Sequence, residues 1–141
     1  MKTTQNTRRS GYREIEHRAD WELEVWAPDL AGLLEQAAHG MYALSGIQLK
    51  DSPRQECLLE ITAEDAESLL VSFLTELIYY CEQEHIGFET FQLDLNGYQL
   101  NAQLSGAELE KIEKEIKAVT YHRLQVRSSA HGLSVNIVFD V

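Results

Sequence analysis

Three segments of the chain alternate apolar and polar residues with the two-residue period of a half-buried β-strand. They are "WELEVWA" (21–27), "RQECLLEITA" (54–63) and "GLSVNIVFDV" (132–141). A shorter strand is predicted at residues 12–16. The residues predicted to face inward in the three longer strands are Trp21, Leu23, Val25, Cys57, Leu59, Ile61, Leu133, Val135, Ile137 and Phe139.

Two other segments repeat apolar residues at helical spacing, which predicts two amphipathic helices. Asp29 is a candidate N-cap for the first helix and Gly46 a candidate stop, while Asp65 and Gly87 play these parts for the second. His39 lies off the apolar stripe of the first helix and is expected to be exposed. The two stripes are Leu30, Leu33, Leu34, Ala37, Ala38, Met41 and Tyr42, then Leu69, Leu70, Phe73, Leu74, Leu77, Ile78 and Cys81.

The second half of the chain predicts two hairpins. Asn96-Gly97 separates "FQLDL" from "YQLNAQL" and is a typical two-residue hairpin turn. The segments "KAVTYHRLQV" and "GLSVNIVFDV" are predicted to form the last pair of strands, joined around "SSAHG". Between the two hairpins, "SGAELEKIEKE" is expected to be a helical turn or a mobile loop.

The order of elements is therefore ββαβα followed by two hairpins. Short turns between successive strands favour antiparallel pairing, so we predict an α+β fold with two amphipathic helices packed on a mainly antiparallel β-sheet. Residues 1–10 are expected to form a flexible N-terminal arm, because chain ends are generally loose. Residues 11–141 are expected to form a single domain, since 141 residues suit one domain.

Charge narrows the classes of partner. Acidic residues outnumber basic ones by 23 to 12, a net charge of −11, so the surface as a whole repels nucleic-acid phosphates. Such a charge suits a cation or a basic protein. No apolar stretch reaches the length of a membrane span, and the N-terminus does not resemble an export signal. With Cys57 and Cys81 expected to be reduced thiols of the core, we predict a cytoplasmic protein that has no membrane partner.

The residues alone suggest two candidate metal-binding positions, each with a simpler explanation. Asp20 ends "HRAD" between two predicted strands, but an aspartate there can equally hydrogen-bond its own turn. Asp140 and the carboxylate of Val141 would place two anionic groups side by side, although a solvated end explains them as well. Hard oxygen ligands suit calcium or magnesium better than zinc. A zinc site formed by His17 and His122 lacks the usual cysteine or paired-histidine spacing.

Other motifs of catalytic chemistry are missing. The chain has no dinucleotide-binding glycine motif, no phosphate-binding loop and no nucleophile elbow, so no residue is predicted to be catalytic. Lys117 at the start of "KAVTYHRLQV" can be explained as an edge-strand charge that opposes aggregation. The residues by themselves therefore predict an acidic α+β domain with a candidate oxygen-ligand metal site.

Several segments, taken together, resemble the archease family, whose members assist RtcB-type RNA ligases. "YREIEHRAD" is similar to the family's first strand and H-x-A-D bend, and "DLAGLLEQAAHGMYAL" and "AEDAESLLVSFLTELIYYCEQEHIGF" are similar to its two helices. "EIKAVTYHRLQV" resembles its most distinctive motif, and "FDV" its aspartate-aliphatic ending. The resemblance covers residues 11–141.

The resemblance implies a function outside the chain's own chemistry. The ligase joins RNA ends that carry a 2′,3′-cyclic phosphate or 3′-phosphate to 5′-hydroxyl ends, using manganese and a GMP-linked histidine. An archease would promote the guanylylation and multiple turnover of that ligase in tRNA splicing or RNA repair, meeting RNA only through it. The resemblance also implies a calcium site, or one for magnesium or manganese, at Asp20, Asp140 and Val141, and an activation-critical lysine at Lys117.

Two departures from the family pattern lie beside the implied site. Arg18 stands where the family commonly has threonine, and the family commonly has a small or aliphatic residue near Trp21. Two other interpretations remain open. One is a metal-dependent phosphohydrolase that uses Asp20 and Asp140, with His17 or His122 as base, although two-metal chemistry usually needs more carboxylates. The other is a metal-free protein-interaction module.

Overall fold

The computed structural model describes residues 9–16 and 21–141. In this part of the chain it contains two α-helices, eight strands and one short π-helical segment. The strands are β1 (Gly11–Ile15), β2 (Trp21–Ala27), β3 (Gln48–Thr62), β4 (Ile86–Asn96), β5 (Gln99–Lys111), β6 (Ala118–Val119), β7 (Arg127–Ser129) and β8 (Gly132–Asp140), and the helices are α1 (Leu30–Ser45) and α2 (Ala66–Tyr79). The predicted α+β class, with two helices packed on antiparallel strands, is confirmed.

The strands form two antiparallel sheets instead of one. The first sheet has the order β1-β2-β8-β6, and β7 pairs with the same edge of β8 as β6 does. The second sheet has the order β3-β5-β4. Both helices contact strands of both sheets. The second sheet therefore closes over the helices, and the end of β8 belongs to the first sheet.

Three of the predicted helix boundaries are correct, for the expected physical reasons. The Asp29 side chain accepts a hydrogen bond from the amide of Gly32, and Asp65 accepts one from Ser68. Each carboxylate therefore satisfies an amide that the first turn of its helix leaves unpaired. Gly46 ends α1 in the left-handed conformation, with φ of 65°.

One hydrophobic cluster joins the helices to both sheets. Most of the predicted stripes of α1 and α2 is buried in it, together with inward residues of β2, β5 and β8. Leu30 is only partly buried, and Cys81 lies beyond the end of α2. A polar contact crosses the same interior, where the buried amide of Phe88 donates to Tyr42 Oη at 3.2 Å. Burial is the main cause that raises the pKa of the Tyr42 phenol well above its usual value.

The predicted end of the second helix is wrong. α2 ends at Tyr79, a π-helical turn spans Tyr80–Glu84, and His85 takes the left-handed conformation with φ of 58°. Gly87 lies instead inside β4, where an added Cβ would approach side-chain atoms of Ile47 and Leu49 to 2.8 Å. The glycine is therefore needed for close packing between strands and not for stopping a helix.

The first hairpin is confirmed, but its turn is displaced by one residue. Asn96 pairs with Gln99, so the two-residue loop is Gly97-Tyr98, with φ of 63° at Gly97. A single positive φ at the first loop position matches a type II′ turn, which favours glycine there.

The segment predicted as a helical turn or loop is largely strand. Residues 105–111 continue β5, with Gly106 and Ala107 buried. The backbones of β5 and β4 approach so closely that a Cβ on Gly106 would lie 1.8 Å from the carbonyl oxygen of Gly87. This contact depends on a partner strand distant in sequence, so the local pattern does not predict it.

The predicted strand "KAVTYHRLQV" is also wrong over most of its length. Within it only Ala118–Val119 pairs with β8. A separate short strand, Arg127–Ser129, follows it and pairs with the other end of β8. Tyr121, predicted as an apolar strand residue beside Val119, is 59% exposed. The inward alternation of β8 itself is confirmed, with Val135, Ile137 and Phe139 buried.

Other side chains differ from expectation in degree. His39 is only partly exposed, because its ring packs edge-on against Phe91. Cys57 and Cys81 are free thiols, as predicted, but are half-buried and not in the centre of the core. Burial raises the pKa of the Cys81 thiol. No helix in the described ranges has both the length and the apolar character needed to cross a membrane.

The organisation into a flexible arm at residues 1–10 and a single domain at 11–141 stays a prediction. Residues 1–8 lie outside the described part of the chain.

Candidate functional site

The end of β8 is held on both sides by neighbouring strands. Phe139 pairs with Trp21 of β2 on one side and with Val119 of β6 on the other. The Phe139 side chain is buried, whereas the next residue, Asp140, is exposed. Since pairing on both edges fixes the path of the backbone, the exposed carboxylate of Asp140 projects from a well-defined position.

Lys117 lies directly beside Asp140. Its backbone amide donates a 2.8 Å hydrogen bond to the carbonyl oxygen of Asp140, and the next residue, Ala118, pairs with Asp140 in the sheet. This contact uses main-chain atoms only, so the Lys117 ammonium and the Asp140 carboxylate stay free to meet other groups. The Lys117 side chain is exposed and has no ion pair within the described part of the chain.

The third carboxylate position predicted from sequence, Asp20, lies outside the described residues, as do His17 and Arg18. The described chain resumes at Trp21, which is covalently bonded to Asp20 and pairs with Phe139. The structure therefore brings together Lys117, Asp140 and the residue that follows Asp20.

A second cation, which the sequence did not single out, lies at this end of the sheet. The Lys114 ammonium is 5.8 Å from the centre of the Trp21 ring, within the range of a cation–π contact. The amides of Glu113 and Lys114 both donate to the carbonyl oxygen of Ser45, which holds this segment against the end of α1. Trp21 therefore supplies the aromatic ring that the Lys114 ammonium contacts.

No local signal could have identified Lys114. The residue belongs to a polar segment whose position depends on β5 and α1, and its aromatic partner is far away in the sequence. Only the register that pairs Trp21 with Phe139 brings the two side chains to one place.

The donors available for a metal ion at this end are oxygens. Across residues 9–16 and 21–141, no group of three or more histidine, cysteine, aspartate and glutamate side chains could hold a metal ion. The described members of the predicted set are Asp140 and Val141, and the Val141 side chain packs partly against the core. Carboxylate and carbonyl oxygens fit calcium or magnesium, and Asp20 would add a second carboxylate.

The histidine proposed as a base for the phosphohydrolase alternative lies on a turn. His122 is exposed beyond the end of β6, and its amide donates to Thr120 Oγ1 at 3.3 Å. It is therefore not a strand-face histidine, and its alternative, His17, is outside the described residues.

Comparison with known proteins gives one consistent family. The model of the archease protein family (MTH1598/TM1083) matches residues 12–141. The archease of Methanosarcina acetivorans is 33% identical over 142 aligned residues, which cover 92% of this chain and 95% of that protein. The archease of Thermococcus gammatolerans is 32% identical, with 86% of this chain and 91% of the relative covered.

Two solved structures have the same fold. The crystal structure from Thermotoga maritima, described as an archease and possible chaperone, matches with a TM-score of 0.70 and 26% identity, covering 92% of this chain and 96% of that one. The solution structure of Methanobacterium thermoautotrophicum protein 1598 matches with a TM-score of 0.67 and 22% identity, covering 93% and 99%. The second likeness concerns the fold alone.

Proposed function

Because the chain belongs to the archease family, we propose that it is an accessory protein that activates an RNA ligase of the RtcB type and is not itself an enzyme. It would promote guanylylation and multiple turnover of the ligase in tRNA splicing or RNA repair. RNA would reach the protein only through the ligase, because a net charge of −11 opposes binding to free RNA. The site of action would be the cytoplasm.

The observation that carries this proposal is the hydrogen bond between the Lys117 amide and the Asp140 carbonyl. It supports a compact acidic tip in which an exposed ammonium and an exposed carboxylate emerge from adjacent backbone. A lysine ammonium acts as a point charge that can reach a phosphate. Such a tip suits entry into a ligase site that already contains nucleotide and manganese.

We further propose that Asp20, Asp140 and Val141 hold a divalent cation at this tip. Calcium is the first choice and magnesium or manganese the alternatives, because all the donors are hard oxygens. The ion would supply positive charge that offsets the mutual repulsion of the carboxylates. The chain's own contribution would be to position Asp140 through its pairing with Ala118 of β6 and through Phe139, which is paired with both β2 and β6.

The direct test is a guanylylation time course with limiting cognate ligase, GTP and manganese, with and without this protein. We expect faster formation of the ligase–GMP adduct and several ligation turnovers per ligase molecule when the protein is present. An unchanged time course would reject the proposal and leave the metal-free interaction module.

A matched control separates the enzyme alternative. The protein alone, mixed with RNA fragments, GTP and manganese, should produce neither ligation nor phosphate release. Release of phosphate by the purified protein that disappears in Asp140→Asn would favour the phosphohydrolase instead.

A further inference from the structure

After β6 the chain leaves the edge of β8 and forms a projecting turn. The register pairs Val119 with Phe139 and Arg127 with Ser134, so the seven residues 120–126 lie opposite the four residues 135–138. The surplus length has to bulge away from the sheet. Tyr121, at the start of this bulge, is 59% exposed.

The bulge is held by hydrogen bonds at both ends and across its tip. Thr120 bonds to the Val138 carbonyl through both its amide and its hydroxyl, each at 3.0 Å. The Leu124 amide donates to the Tyr121 carbonyl at 3.1 Å, which closes a four-residue turn. Further on, the Val126 amide donates to the Glu67 carboxylate at 2.8 Å. The turn is therefore a preorganised feature of the surface.

Arg123 has an unusual backbone conformation at the tip of this turn. Its φ is +53°, and His122 before it does not have a positive φ. This pattern matches a type II turn, in which the third position favours glycine. A bulky residue in the left-handed region is uncommon and indicates a functional constraint when the surroundings impose it.

The turn belongs to a part of the chain that has exposed cations and few acidic residues. Residues 116–139 form the longest stretch of the sequence without aspartate or glutamate. Lys117, Arg123 and Arg127 of this stretch are exposed and take part in no ion pair among the described residues. In the rest of the described chain, ion pairs are formed by Arg13, Lys50, Arg54 and Lys111.

The spacing of the three cations favours an extended anion. The backbones of Lys117 and Arg127 lie beside Asp140 and Ser134 of β8, which are six strand steps or about 20 Å apart. Arg123 lies on the turn between them. A single small anion cannot reach both ends of such a row, whereas the successive phosphates of a nucleic-acid strand can. The exposed Tyr121 ring adds a surface on which an unpaired base can stack.

We infer that the turn Tyr121–Leu124 and the neighbouring cations bind single-stranded RNA, with Tyr121 stacking on a base and Arg123 contacting phosphate. This inference rests on the proposed function, because the net charge of −11 requires a ligase to bring the RNA close. The cations of the turn complement the phosphates of RNA that such a ligase holds.

The experiment uses two readouts of the full-length protein with its cognate ligase. Guanylylation is measured without RNA, and ligation is measured over a range of RNA concentrations. The variants are Arg123→Gly, which suits the backbone conformation and so should fold, and Tyr121→Ala. Arg54→Ala removes the same charge from the second sheet and serves as the matched control.

We expect guanylylation to match wild type in all three variants. The KM for RNA should rise about tenfold in Tyr121→Ala, the size of effect that loss of one stacked base produces. Arg123→Gly should also raise the KM for RNA. It should make ligation less sensitive to salt than in wild type, because RNA binding then releases fewer counterions. Arg54→Ala should leave the KM for RNA unchanged.

Two outcomes would overturn the inference while leaving the proposed function standing. One is an unchanged KM for RNA in both turn variants. The other is a parallel loss of guanylylation, which would mean that the turn binds the ligase polypeptide. A wild-type protein that fails to accelerate guanylylation would instead reject the proposed function, and the inference with it.

Discussion

Replacing Tyr42 by phenylalanine should destabilise the fold measurably, because its hydroxyl accepts a buried hydrogen bond that connects α1 to the second sheet. The Tyr42 side chain is 8% exposed and that of Phe88 is 2% exposed, so the hydrogen bond between them is buried. The Phe88 amide lies next to an irregularity in the β4–β5 register, between Phe88 and Thr90. Removing the hydroxyl withdraws the acceptor that this amide uses.

The expected loss of unfolding free energy follows from the burial of this hydrogen bond. The ring is retained, so no cavity of side-chain size forms and the loss is that of a polar partner. A buried donor left without its acceptor costs about 1–3 kcal/mol. For a chain of this size, each kcal/mol lowers the melting temperature by about 2–4 °C. We therefore expect Tyr42→Phe to melt roughly 2–12 °C below wild type.

The assay is urea denaturation and thermal melting of three proteins side by side. Tyr98→Phe is the matched control, since it removes the same atom from an exposed residue of the hairpin turn and should change stability by no more than about 0.5 kcal/mol. Equal stability of Tyr42→Phe and Tyr98→Phe would refute the reasoning. It would show that the Phe88 amide finds another acceptor, such as water.

The remaining predictions concern alkaline stability, the metal and the lysine. Burial raises the pKa of the Tyr42 phenol above its value of about 10 in the unfolded chain. The contribution of the neutral phenol to stability is therefore complete below pH 10 and declines as the pH rises further. Above pH 10 the melting temperature of wild type should fall more steeply than that of Tyr42→Phe. The calcium affinity, measured by calorimetry, should weaken in Asp20→Asn, in Asp140→Asn and when residues are appended after Val141. Unchanged affinity in all three variants would refute the proposed metal site. Lys117→Ala should change the free energy of unfolding by no more than about 0.5 kcal/mol, because only its backbone amide is bonded in the fold, yet the variant should fail to accelerate ligase guanylylation. Lys117→Arg should restore this acceleration only in part. Full activation by Lys117→Ala would show that Lys117 is only an edge-strand charge.

The sequence was sufficient for the helix caps and for the periodic apolar faces, which depend on neighbours a few residues apart. Asp29 and Asp65 were identifiable as caps because each bonds an amide three residues ahead. The apolar stripes of both helices and the alternation of β8 likewise repeat with the local period of the element. The predicted last pair of strands already placed Lys117 near Asp140, whereas the roles of these two residues came only from the family resemblance.

The tertiary structure decided the features that depend on contact between distant segments. Gly87 matched a helix stop locally, but its lack of a side chain serves packing against Ile47 and Leu49. The polar residues 105–111 became strand because β3 and β4 lie on either side of them. Conversely, residues 120–126 have strand-forming composition, but β8 offers them too few positions to pair with, and the surplus became an exposed turn. Pairing partners, register and close approach of backbones are properties of the assembled sheets, so the local pattern could not contain them.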